Sequence, residues 1–461
     1  MKRRNIELLH SLRDKPNLFE RSLEATVFEE LNRFFANVHD CGHTIESLSK
    51  REKESYHLSA FNLLLAYVWE NNEYYREKLR EHGFTQPDIP HLADIHRIPL
   101  LEKNLLKGNR DILLSVERAK ITQYHLTSGT TGKPIYNALT FNDQYAHDAI
   151  PFYPTVYDGD SSHDVVGIAL PYEFAQPALG FHRLYQFIFG AAIVSLGKGG
   201  YMAPLDKTVD ALHEFQISIL ITTPSYAALL AEQAAMMGCS IGENIRVRKL
   251  MLTGEGCSPQ FITRLKELWN CEIHQIYGST ECGLVGIQHA IEEGYQILEG
   301  NVLVEIIDET NMPVEDGEIG EIVITTLLRE AMPFIRYKTG DIGFVQEAGE
   351  QSKNKLKRLH LRGRKGGTLS IEGIDYSPIL LEHFLLMNPD VGLWFRFVVE
   401  DEELTIQIEN PNGVDAEELS GQVKRHMYTA GGIVCEVEIV DRIERDYSKV
   451  NRVYFKGEKR K

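Results

Sequence analysis

Long apolar runs are missing from this chain of 461 residues. Its most apolar stretch, residues 184–196, is shorter than the roughly 20 residues a spanning helix needs and contains Tyr185 and Gln186, so no membrane segment is expected. Cysteine is scarce as well. Six over this length do not make a disulfide framework, and Met1-Lys2-Arg3-Arg4 runs straight into Asn5-Ile6-Glu7-Leu8-Leu9-His10 without a secretory apolar core, so a reducing cytoplasm is the expected compartment. Positive charge is in deficit: 49 Lys and Arg face 66 Asp and Glu, a net −17, and such a surface repels nucleic acid and anionic lipid. A local exception is Lys353, Lys355, Lys357, Arg358, Arg362, Arg364 and Lys365, which reads either as a solvated basic strand or as a phosphate-facing arm. Internal repeats, low-complexity tracts, an HExxH zincin signature and a GxSxG nucleophile elbow are all missing, so metalloprotease and serine-hydrolase readings lack support.

What is present is globular: 43% hydrophobic and 25% charged residues exclude a disordered or fibrous chain. Residues 6–80 carry helix-spaced apolar positions with few Gly or Pro, and proline-marked loops follow between 87 and 101. Short apolar runs at 165–170, 191–196, 217–222, 249–252 and 271–276 alternate with helical ones, which predicts βα units and parallel sheet. The runs at 302–307 and 321–325, separated by Glu315-Asp316-Gly317, predict antiparallel strands. Beyond Gly363-Arg364-Lys365-Gly366-Gly367 the pattern predicts a strand at 368–371, a helix from Ser377-Pro378 and strands at 395–399 and 404–409, enough for a separate domain.

The most informative stretch is Thr127-Ser128-Gly129-Thr130-Thr131-Gly132-Lys133-Pro134. Two glycines let a backbone approach an anion, four hydroxyls can donate to phosphate oxygens, and Lys133 adds charge. It is no mononucleotide P-loop: Thr127 stands where that motif needs Gly, and Pro134 stands where it needs Ser or Thr.

This stretch, then Tyr277-Gly278-Ser279-Thr280-Glu281, Tyr337-Lys338-Thr339-Gly340-Asp341, Gly363-Arg364 and Lys449, resemble in order the core motifs of the adenylate-forming superfamily. Within it the likeness is greatest to the phenylacetate-CoA ligases, extends to Tyr74-Tyr75-Arg76-Glu77-Lys78-Leu79 and covers roughly residues 60–461. The resemblance implies an α/β fold: a large N-terminal domain with mixed sheets, residues 1–362, that binds ATP and acid, and a small mobile α+β lid, residues 363–461. It implies Thr280 and Glu281 as holders of phosphate and metal, with Glu281 a hard oxygen ligand for Mg²⁺. Tyr277 offers a flat face for adenine, Asp341 two oxygens for the ribose diol, and Gly254-Glu255-Gly256 either the family's adenine-side loop or an ordinary tight turn. Arg364 pairs with ribose or phosphate oxygens in this scheme, and Lys449 matches the catalytic lysine that bridges carboxylate and α-phosphate. Phe174, with Tyr136 and Tyr172, stands where an aryl group would pack, unless these are core aromatics.

Two departures stand out. Gly366-Gly367 replace the acidic residues usual after the Arg matching Arg364, and Ser448 rather than Gly precedes Lys449. Cys257, Cys271, His274 and Cys282 offer soft ligands for a Zn²⁺ site, though their spacing is not that of a finger or ribbon. The activity implied is ATP-dependent activation of a small carboxylic acid, aryl or arylacetic, as acyl-AMP and its transfer to the thiol of CoA. Two alternatives stay open: loading of a carrier-protein phosphopantetheine, and a catalytically silent nucleotide-binding homologue. A homodimer is compatible with the sequence; no nucleic-acid or membrane partner is expected.

Overall fold

The computed structural model describes residues 45–127, 133–144, 159–291, 293–349, 352, 354–410, 412–445, 447 and 452–456. The chain forms two compact units: unit 1 comprises residues 1–197, 275–289 and 293–361, and unit 2 comprises 198–274, 290–292 and 362–461. In chain order, unit 1 carries helices α1 (Lys50–Asn71) and α2 (Glu73–Glu81), strands β1 (Ile121–Leu126), β2 (Tyr136–Thr140) and β3 (Val165–Ile168), helix α3 (Gln176–Arg183) and strand β4 (Ala192–Ser195). Unit 2 then takes α4 (Leu205–Glu214), β5 (Ile219–Thr222), α5 (Pro224–Met236), β6 (Lys249–Leu252) and α6 (Pro259–Trp269). The chain re-enters unit 1 along β7 (Glu272–Ser279) and continues through β8 (Gly283–Gln288), β9 (Tyr295–Ile297), β10 (Val302–Ile307), β11 (Gly320–Thr326), β12 (Tyr337–Gln346) and β13 (Arg358–Arg364). Unit 2 ends with β14 (Leu369–Ile371), β15 (Ile374–Tyr376), α7 (Pro378–Leu386), β16 (Phe395–Glu400), β17 (Glu403–Ile408), α8 (Ala416–Gly431), β18 (Glu436–Ile439) and β19 (Val453–Phe455).

In unit 1, α1 starts where Ser49 and Glu52 close a capping box, and Asn72 both ends it and caps α2 through its side chain. Tyrosine hydroxyls fasten these helices to the loops that join the sheet's strands: Tyr56 donates to the carbonyl of Gly300, Tyr67 to that of Glu330 and Tyr75 to that of Pro333. Strands β3 and β4 run parallel, as the alternation predicts, and β10, β11 and β12 form an antiparallel meander. Residues 271–276, read as one more parallel βα strand, belong to a longer β7 that turns back antiparallel into β8. The close approach of the two strands beside this turn needs Gly278, because a Cβ there would lie 2.5 Å from the carbonyl oxygen of Gly283.

In unit 2, β5 and β6 run parallel, and α5, α6 and α7 start alike, with a Thr or Ser cap followed by Pro: Thr223-Pro224, Ser258-Pro259 and Ser377-Pro378. Arg452 packs between the rings of Phe261 and Phe395 and reaches the Glu382 carboxylate at 3.0 Å. The last sheet has the order β18-β17-β16-β19, with an antiparallel centre and parallel flanks. The strands and helix expected after residue 367 are all there. Among the described residues no helix is long and apolar enough to cross a membrane.

Candidate active site

The turn between β7 and β8 presents Thr280 and Glu281, and its backbone is held from outside. Asn137 Nδ2 on β2 donates to the carbonyl of Thr280, and Arg329 Nη1 donates to that of Glu281 at 2.6 Å. The Ser279 hydroxyl accepts from the Cys282 amide at 3.0 Å, closing the turn. The Glu281 side chain is itself buried, and its Oε1 accepts from the Tyr337 hydroxyl at 3.0 Å and lies 3.6 Å from Lys103 Nζ. Among the described residues no comparable contact reaches Oε2. A buried carboxylate with one oxygen partnered only by a phenol and a half-exposed ammonium can take a cation. Burial first, then the Glu281 charge, pushes the Tyr337 phenol far up, so it stays a donor.

Asp341 owes its position to a β-bulge. Between the pairs Val323↔Lys338 and Glu321↔Ile342 the register of β11 and β12 shifts, Gly340 takes φ +79°, and the Thr339 hydroxyl donates to the carbonyl of Ile322. The Asp341 carboxylate then accepts from the Tyr277 hydroxyl at 2.7 Å. Tyr277, half-buried, leans against Tyr295 with ring centroids 5.9 Å apart. The two residues assigned to base and ribose therefore meet, one orienting the other.

Thr127 and Lys133 mark the ends of the phosphate-loop run; Ser128, Gly129, Thr130, Thr131 and Gly132 lie outside the described residues. Thr127 closes the loop stem: its amide donates to the Ile135 carbonyl, and its hydroxyl accepts from the Ile135 amide at 2.9 Å. Lys133 is exposed and passes close to Gly108, where a Cβ would lie 3.7 Å from Nζ. Tyr136 pairs with Leu126 across the stem, and the Leu126 amide donates to the Phe174 carbonyl, so Tyr136 and Phe174 flank one strand residue. Phe174 is exposed at 68% with φ +55°, a left-handed backbone that an aromatic residue adopts only at a cost. Tyr172 instead donates to Ser195 Oγ at 3.0 Å at the end of β4, with His182 Nδ1 at 3.2 Å.

In unit 2, Gly254 takes φ +84° and a Cβ on Gly256 would meet Ile379 at 3.2 Å. The Glu255 carboxylate between them accepts from Ser225 Oγ at 2.9 Å and from the Ser225 amide at 3.2 Å, with Lys198 Nζ at 3.5 Å. Arg364 ends β13 and is exposed, and Lys449 lies outside the described residues. Among the described residues no group of three or more His, Cys, Asp or Glu side chains is assembled to hold a metal. Burial pushes the Cys271 and Cys282 thiols up to about 12.

Sequence reasoning missed Lys103, Asn137 and Arg329, the residues that surround the Thr280–Glu281 turn. Asn137 had one local signal, an amide inside the apolar run that continues through Ala138 and Leu139. Lys103 and Arg329 had none, because they reach the turn only through the fold.

The family model described as AMP-binding enzyme matches residues 101–327. The chain is 28% identical over 379 residues to a phenylacetate-coenzyme A ligase of Thermus thermophilus, across 80% of this chain and 84% of the relative. It is 26% identical over 421 residues to a phenylacetate-coenzyme A ligase of Aromatoleum evansii, across 87% and 94%. Among solved structures, 2-hydroxyisobutyryl-CoA ligase in the postadenylation state with 2-HIB-AMP superposes with a TM-score of 0.82 at 22% identity, covering 89% of this chain and 91% of that one.

Proposed function

From the match of residues 101–327 to the AMP-binding enzyme model and the likeness to phenylacetate-coenzyme A ligases, we propose that the chain is an adenylate-forming, AMP-forming acid–thiol ligase whose acid is an aryl or arylacetic acid and whose acceptor is the thiol of CoA. The observation that carries this reading is the Glu281 carboxylate, buried, clamped through its backbone and adjoining the Tyr337 phenol on the strand that also carries Asp341. Adenosine is received by Tyr277 and Asp341, which the 2.7 Å hydrogen bond pre-orients. Phosphate is received by the run from Thr127 to Lys133 together with Thr280. The aromatic side chains of Phe174 and Tyr136 flank the acid, with Tyr172 behind.

A lone hard carboxylate suits Mg²⁺, which keeps several waters and takes one or two carboxylates plus substrate phosphates. Glu281 would hold it, and the ion would supply neutralising charge to the phosphate oxygens. In the first half-reaction a carboxylate oxygen attacks the α-phosphorus, and the bond to the bridging oxygen breaks with release of pyrophosphate. Lys449, carried in the segment 363–461 that we assign as a lid, bridges the acid and the α-phosphate. In the second half-reaction the CoA thiol attacks the acyl carbonyl, loses its proton and expels AMP. Six dispersed cysteines fit work in a reducing cytoplasm.

The test is carboxylate-dependent exchange of pyrophosphate into ATP across aryl, arylacetic and short aliphatic acids, followed by thioester formation with free CoA. Exchange with an aryl class, lost in Lys449→Ala, is the expected result. Exchange with aliphatic acids alone sinks the substrate assignment, and exchange without CoA consumption moves the acceptor to a carrier-protein phosphopantetheine.

A further inference from the structure

Asn137 is fully enclosed, with 0% of its surface exposed. A buried amide is retained where its donors and acceptor are all used. Here Nδ2 donates to the Thr280 carbonyl and to Gln176 Oε1, the latter at 3.5 Å, and Oδ1 accepts from Arg329 Nη1 at 3.3 Å. The same Arg329 nitrogen holds the Glu281 carbonyl. Asp143 steadies the far side: it accepts from the amides of Thr140, Glu330 and Ala331, and its charge faces Arg329.

Two of the partners of Asn137, Thr280 and Gln176, belong to different stations. Thr280 opens the phosphate and metal turn. Gln176 is the first residue of α3, two positions after Phe174, whose carbonyl is bonded to the stem of the phosphate loop. Asn137 itself lies on β2, opposite His125 in the hairpin that carries that loop.

We propose that Asn137 is a positioning residue that couples the acid-side start of α3, through Gln176, to the Thr280–Glu281 turn. An acid packed against Phe174 shifts or steadies Gln176, and one side-chain amide cannot keep both bonds unless Thr280 follows. The acid therefore tightens the grip on ATP, and by reciprocity ATP tightens the grip on the acid. The inference rests on the adenylation reading above, because it needs an acid at Phe174 and phosphates at Thr280.

Calorimetric titration of the full chain with α,β-methylene-ATP and Mg²⁺, with and without the acid found by the exchange panel, tests it. In the unaltered protein the acid is expected to tighten the analogue by about fivefold to tenfold, within the ordinary range of coupling between sites. Gln176→Ala, which leaves the Thr280 and Arg329 bonds in place, is expected to bring that factor close to one while the affinity for the analogue alone changes by less than about twofold. Gln176→Glu keeps an oxygen acceptor for the same donor and should restore the factor. Asn137→Ala should lose the coupling and also weaken the analogue itself; should that variant not fold, the Gln176 pair carries the test. A side chain with only a packing role would lower the melting temperature and leave the factor intact, so an unchanged factor in Gln176→Ala overturns the proposal, as does its absence in the unaltered protein. If no acid supports exchange at all, it is the adenylation reading that fails, and the proposal falls with it.

Discussion

Two glutamates, each in a turn after a strand, end in opposite circumstances. Glu255 follows β6, and both its oxygens are committed: Ser225 in the first turn of α5 donates from amide and hydroxyl, and the buried Lys198 ammonium lies at 3.5 Å. A carboxylate at a helix N-terminus beside a buried cation stabilises a fold. Glu281 follows β7, and there it is the backbone that is held, by Arg329 and through Thr280 by Asn137, while the carboxylate meets, among the described residues, only Tyr337 and Lys103. Where the side chain is consumed the residue braces the fold; where the main chain is fastened instead, the side chain is available for the role proposed for Glu281.

The largest effect should come from Glu281→Gln. Removing the charge while keeping the shape should lower pyrophosphate exchange by about 10²- to 10³-fold, the size seen when one preorganised electrostatic contact is lost. The urea midpoint should barely move, since Asn137 and Arg329 hold carbonyls that the substitution leaves in place. Exchange within about threefold of the parent would remove the distinction between the two glutamates. The mirror experiment is Glu255→Ala, which removes the carboxylate 3.5 Å from the buried Lys198 ammonium. It should cost about 3 kcal/mol in denaturant unfolding, while the protein that remains folded keeps its exchange rate. A variant that is stable but inactive would place Glu255 among the ligand-binding groups after all.

The sequence distinguished these two glutamates only by their company. Thr280 and Glu281 sit in a run whose order relative to Thr127, Asp341 and Lys449 is diagnostic, whereas Gly254-Glu255-Gly256 is equally a tight turn. The strands of the βα region were legible because buried parallel strands are short unbroken apolar runs, and 302–307 with 321–325 because turn chemistry separates them. The hairpin β7–β8 was not, because a strand that ends in Tyr-Gly-Ser and runs into a Thr-Glu turn carries no period of its own. The bulge that aims Asp341 shows in sequence only as Gly340. Asn137, Arg329 and Lys103 are paired at sequence separations too large for any local pattern, and their partner atoms are main-chain carbonyls as often as side chains.

Acid sharpens the comparison from the Glu281 side. His125, paired with Asn137 across the hairpin, is buried, and desolvation lowers its pKa from 6.5 to about 4. The unfolded chain therefore takes up a proton that the folded hairpin refuses. Stability is full above pH 6.5 and is lost as pH falls from there toward about 4, by about 2–3 kcal/mol if the group acts alone. His125→Gln should flatten that part of the curve of melting temperature against pH. A slope that survives His125→Gln would assign the acid sensitivity to other groups.

The finest test removes a single hydroxyl. In Tyr337→Phe the ring keeps its edge-on packing against Phe334, 5.4 Å between centroids, so what disappears is the donor to Glu281 Oε1. A hydrogen bond to a charged group of this kind contributes about 1–2 kcal/mol, which predicts a KM for Mg·ATP raised about fivefold to thirtyfold in exchange, with kcat changed much less. Burial and the neighbouring carboxylate hold the Tyr337 phenol far above its ordinary value, so in the parent it donates at every working pH. The ratio of parent to variant should therefore stay flat between pH 6 and 9. A ratio that titrates within that window would mean that Tyr337 exchanges a proton during the reaction, and Glu281 would then be half of an acid–base pair instead of a carboxylate held in place by a neutral neighbour.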